Sequence, residues 1–126
     1  MKVISEKINI DQFHAEVNFI ISFLEENDVA IVKVAWGYSC DLNVDEMWDY
    51  EDIRVEHLKK FINNGIDSGI YSPNESDFFI EDLDSLFEFK MCHESDVHFK
   101  SEDKNLHFKV KSHWADKGIK FYDSVL

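Results

Sequence analysis

The chain has 126 residues, 44% of them hydrophobic, with eleven Phe, three Trp and four Tyr but only one Pro and four Gly. A chain of this size and composition buries a core without staples and is neither a disordered nor a low-complexity segment. Thirteen basic residues against 26 acidic ones give a net charge of −13, which argues against direct binding of nucleic acid or anionic lipid.

Residues 3–10, VISEKINI, alternate partly and suggest a first strand. Phe13, Val17, Ile20, Ile21 and Leu24 then recur at the spacing of one helical face, with Asp11 as a candidate N-cap and Asn27 as a candidate stop. Phe19 and Phe23 widen that stripe, so the helix should pack on more than one side. VAIVKVAW, residues 29–36, is nearly continuous and β-branched, the pattern of a strand covered on both faces, with Trp36 in the core and Gly37 at its end.

The acidic stretch from Asp41 to Asp52 reads as a loop leading into a second helix. That helix carries Ile53, His57, Leu58, Phe61 and Ile62 and is closed by Asn63-Asn64-Gly65. Ser72-Pro73-Asn74 is a turn. The second acidic cluster, Glu75 to Asp84, would either extend the negative surface of the first or, as FIEDLDSLF at residues 79–87, form a short solvated surface helix. Phe87, Phe89 and Met91, and then Val97 and Phe99, alternate as two half-buried strands joined by His93-Glu94-Ser95-Asp96. Ser101 would cap a last helix bearing Leu106, Val110, His113 and Trp114 and ending at Gly118, although Leu106, Phe108 and Val110 also fit a strand. The expected fold is a single α+β domain over residues 1–126, about three helices packed on a small, mostly antiparallel sheet.

Nothing in the chain addresses a membrane. The N-terminus carries charges where a signal peptide needs an apolar run, and VNFIISFL is too short to span a bilayer. Cys40 and Cys92 lie far apart and form no CxxC, as befits reduced thiols; a cytoplasmic location is expected.

The acidic residues are unevenly placed. Residues 41–56 hold seven acids and one base, residues 75–96 hold eight and one, and the remainder balances. Within the first window Asp41, Asn43, Asp45, Asp49 and Asp52 mimic a calcium loop. Its required glycine, however, is replaced by Glu46, and its last ligand is a short Asp. The stretch MCHESDVHF, residues 91–99, collects a thiol, two imidazoles and two carboxylates. Its spacing matches no CxxC or HxxxH pair, and a hairpin would turn Cys92 and His98 to solvent with His93, Glu94 and Asp96 at the turn. A polar turn is the simpler reading, and neither metal nor other cofactor is expected.

No GxSxG elbow, Gly-rich phosphate loop or HExxH occurs, and nothing pairs Cys40 with a particular His; no catalytic residue is assigned. His57 and His113 read as satisfied core residues and His107 as a solvent-facing one.

The feature with most functional content combines aromatics with carboxylates. Asp45, Glu46, Trp48, Asp49, Tyr50 and Asp52 would form a partner-binding face, the rings as anchors and the acids as steering charges for a basic protein. By charge and size alone, the chain fits the physical description of immunity proteins and antitoxins, small acidic inhibitors that plug a basic toxin such as a nuclease. The alternatives are a metal-dependent enzyme using the Cys92–His98 segment and a homodimeric subunit associating through the same aromatics.

Overall fold

The computed structural model describes residues 1–37, 50–73 and 75–124. The elements run β1 (Lys2–Ser5), α1 (Ile10–Glu26), β2 (Ile31–Gly37), β3 (Glu51–Arg54), α2 (Val55–Asp67), β4 (Asp77–Asp82), β5 (Phe87–Met91), β6 (Val97–Ser101), α3 (Lys104–Asp116) and β7 (Phe121–Ser124). Among the described residues three helices pack on a seven-stranded antiparallel sheet of order β3-β2-β4-β5-β6-β1-β7, an α+β fold. No helix among the described residues is long and apolar enough to cross a membrane.

Local chemistry sets the helix limits, in places differently from the sequence expectation. Helix α1 begins two residues earlier than an Asp11 cap would allow. Asn9 Oδ1 accepts from Gln12 N at 2.8 Å while Gln12 Oε1 accepts from Asn9 N at 2.8 Å, a reciprocal capping box. Its end is at Asn27, as the sequence suggests, with Asp28 following at φ 58°. Helix α2 runs through Asn63-Asn64-Gly65 to a C-cap at Ser68, so Gly65 is a helix-interior residue. The cap of α3 is Asp103, whose carboxylate accepts from Asn105 N at 2.8 Å; Ser101 instead accepts from Asp103 N at 3.0 Å and donates to Leu86 O at 2.7 Å. Gly118, at φ 72°, stops α3 in the left-handed conformation that favours glycine.

The core lies between the helices and one face of the sheet. Phe23 of α1 meets Phe87, Phe89 and Phe99 edge-on at ring separations of 5.4, 5.3 and 5.9 Å. Near the β2 edge, Trp36 stacks on Phe61 and Phe78 and leans on Tyr71, which ties α2 to the sheet. Trp36 is only partly buried, and Ile31 and Lys33 of the same strand point away from the helices, so β2 is not fully covered on both faces.

Several segments depart from the sequence reading. Residues Glu51–Arg54 are strand rather than loop, and Ile53 belongs to that strand rather than to the helical stripe. FIEDLDSLF is not a helix: it comprises most of β4, a turn and the first residue of β5. Its aromatic and β-branched residues pair with β2 on one side and β5 on the other, which outweighs its apparent helical spacing. Strand β7 answered no sequence signal. It pairs with β1 and seats Phe121 against Trp114.

Candidate functional site

The outer face of the sheet, opposite the helices, is built by alternation. In β5, Phe87, Phe89 and Met91 face the helices while Glu88 and Lys90 face away. Register then aligns a charged row across six strands: Asp52 beside Lys33, Lys33 beside Glu81, Glu81 beside Glu88, Glu88 beside Lys100, and Lys100 beside Lys2. Burial, then the facing Glu81, pushes the Glu88 carboxyl above its ordinary value, against the opposing pull of Lys100, Lys2 and Lys90.

At one end of this row lie Tyr50, Glu51 and Asp52, from the first acidic window. Asp45, Glu46, Trp48 and Asp49 lie outside the described residues, as do Cys40 and most of the calcium-like segment. Tyr50 is 55% exposed, and Glu51 and Asp52 beside it are exposed on the outermost strand, β3. Partial burial, then the Glu81 and Glu88 carboxylates, pushes the Tyr50 hydroxyl above its ordinary value. Among the described residues neither Glu51 nor Asp52 forms an ion pair, whereas Arg54 is taken up by Glu56 at 3.0 Å.

The second acidic window behaves differently: two of its carboxylates are buried in the fold. Asp82 is buried and accepts from Leu86 N at 2.6 Å and Phe87 N at 3.1 Å, closing the β4–β5 turn. Asp77 is buried and accepts from both His93 N at 2.7 Å and His93 Nδ1 at 2.9 Å. These carboxylates hold the fold together and are not available for steering.

The MCHESDVHF hairpin forms with the expected strands and Glu94 is exposed at its turn, but Cys92, Asp96 and His98 are not at the surface. Cys92 is only 5% exposed, and the side chains of Asp96 and His98 are 15% and 14% exposed. The reason is the turn itself. Cys92 N donates to Asp96 O at 2.9 Å and Ser95 N to Cys92 O at 3.0 Å, while Ile8 N donates to Ser95 O at 2.8 Å. These bonds fold the connection inward against the residues that follow β1. Burial pushes the Cys92 thiol up to about 12. The Asp96 carboxyl is also raised by burial, yet His98 beside it brings the balance below the ordinary value.

Two overlapping donor sets result: Asp77, Cys92 and His93 form one, Cys92, Asp96 and His98 the other, with the donor atoms of each set within 4.8 Å of one another. Asp77 was not legible as a member, because it reaches the hairpin from β4, sixteen residues before His93.

The other histidines divide unevenly. His57 is exposed on α2, not in the core, because the helix begins after Ile53 and turns its apolar stripe to Val55, Leu58 and Ile62. His107 is buried rather than solvent-facing, with Nε2 2.7 Å from Ser101 O. His113 stacks on Phe19 and meets the buried Glu16, whose other oxygen accepts from Trp114 Nε1 at 3.0 Å. Glu16 carried no sequence signal beyond its place on the apolar side of α1. The chain matches no family model, and no curated protein or solved structure matches it.

Proposed function

We propose that the protein is a non-catalytic binding module that docks onto a basic protein partner and neutralises it, in the manner of an immunity protein or antitoxin facing a toxin domain. The observation that carries this reading is the half-exposed Tyr50 at the sheet edge, set among Glu51, Asp52 and Glu81. A ring with few rotors gives a partner an anchor at low entropic cost, and the exposed carboxylates of Glu51 and Asp52 beside it draw in Lys and Arg. The docking face is accordingly narrower than the charge count suggests. It comprises the first acidic window and the adjoining edge of the sheet with Glu81, and leaves out Asp77 and Asp82, which are buried and serve the fold. Lys33 is the one cation interleaved in the row at this end of the sheet, and it fixes where a partner's own acid would be tolerated.

The test uses the chain as bait in quantitative affinity capture from its native cell, beside a Tyr50→Ala/Glu51→Lys/Asp52→Lys variant. The expected result is a basic protein retained by the first bait and lost with the second. With that partner purified, charge reversal should slow association several-fold and flatten its dependence on salt. Equal capture by both baits, or capture only of the chain itself, refutes the proposed face.

A further inference from the structure

Beyond partner binding, the β5–β6 hairpin carries a separate chemistry. We propose that Cys92, Asp96 and His98 form a binding site for a divalent transition-metal ion, with zinc the best match to the donors. One soft sulfur, one imidazole nitrogen and one carboxylate oxygen lie mutually within 4.8 Å. Zinc bonds of about 2.0–2.3 Å place tetrahedral donors roughly 3.3–3.8 Å apart, so side-chain rotation of about an ångström or less closes the set. The mixed S, N, O donor set suits zinc better than magnesium or calcium, which select oxygen.

The unsatisfied atoms single out this triad from its neighbour. Asp96 Oδ1 and both ring nitrogens of His98 are buried without a hydrogen-bond partner among the described residues. His98 Nε2 stands 3.2 Å from Asp96 Oδ2, an ion-pair distance. Buried polar atoms left this way cost roughly 1–3 kcal/mol each, and an ion held by Asp96 Oδ1 and one ring nitrogen of His98 removes that cost for those two atoms. Asp77 and His93 are in the opposite condition, already bonded to one another through two contacts. They therefore flank the sulfur without being needed as ligands, and three protein donors leave a fourth position for water or another small ligand.

The scaffold is suited to holding an ion. His98 is inside β6, paired with Lys90 on one side and Ile4 on the other, and Cys92 and Asp96 are pinned across the turn by the Cys92 N to Asp96 O bond. Ligands on rigid strands lose little freedom on binding. The site needs neither Tyr50 nor the edge strand, so it stands whether or not the docking face is real.

The experiment is a titration of chelator-treated protein with cobalt(II) and then zinc. The expected result is one equivalent of cobalt giving a thiolate-to-metal charge-transfer band that zinc abolishes. Loss of an outer-sphere partner alone costs about tenfold or more in affinity, so His98→Ala should weaken binding by at least that factor. Cys92→Ser should remove the band and Cys40→Ser should keep it. Absence of the band in the unsubstituted protein overturns the proposal, as does a band that depends on Cys40 and not Cys92. The first readout needs no variant, so a substitution that fails to fold does not rescue the idea.

Discussion

Gly65→Ala tests the packing that joins α2 to the edge of the sheet. Two effects oppose one another. Replacing glycine by alanine inside a helix ordinarily gains about 1 kcal/mol. Here the new Cβ would stand 2.7 Å from Trp36 Cζ2 and 2.9 Å from Cη2, closer than carbon atoms approach. The indole has little room to withdraw, because Phe78 lies 4.3 Å, Tyr71 4.7 Å and Phe61 5.1 Å from it, centroid to centroid. Overpacking of this kind costs about 1–3 kcal/mol. The balance is a net loss of about 1 kcal/mol, which lowers the urea midpoint by roughly 0.5 M at an ordinary m value. Equilibrium urea unfolding followed by far-ultraviolet circular dichroism measures it. The same substitution made on a Trp36→Leu background should recover the helical gain and become neutral or stabilising. A higher midpoint in the single variant would refute the steric argument.

The remaining predictions address buried charge. Glu16→Leu strands both His113 Nε2 and Trp114 Nε1, and unfolding should show a loss of about 3 kcal/mol, whereas a loss below about 1 would mean the helices repack freely. Glu88 has a folded-state value above its unfolded one, so its protonation favours the fold as pH falls, and its charge is a burden at neutral pH. Glu88→Gln should therefore stabilise by a few tenths of a kcal/mol at pH 7, with the advantage vanishing near pH 4, and an advantage that grew on acidification would reverse the sign of the argument. In the Cys40→Ser chain, the Cys92 thiol, pushed up to about 12 by burial, should react with iodoacetamide at pH 8 orders of magnitude more slowly than in urea; equal rates would contradict its burial.

Much of the architecture was written in local pattern. The stripe from Phe13 to Leu24 marked α1, and the alternation around Met91 and Val97 marked the β5–β6 hairpin with its inward Phe rings, because period 3.6 and period 2 each bury one face. The capping signals near Ser101 chose helix over strand for α3 correctly, although the cap fell on Asp103. Three strands escaped. Strand β3, whose Glu51 and Asp52 read as loop, β4, with Phe78 to Ile80 amid acids, and β7, with Phe121 and Tyr122 near the chain end, are defined by the neighbours they pair with rather than by their own composition.

The candidate sites divide in the same manner. Tyr50 and Asp52 are two residues apart in the chain, so their clustering was legible there, while their exposure depended on β3 being the outermost strand. The hairpin's thiol, imidazoles and carboxylates were likewise visible as a set. Their burial was not, because it comes from the fold of the turn against Ile8 and from Asp77 arriving from β4. Composition and periodicity thus determined an acidic α+β domain and the position of its helices. Which carboxylates remain at the surface and which are spent inside was decided only by tertiary structure, since burial is a property of what a residue packs against and not of its neighbours in the chain.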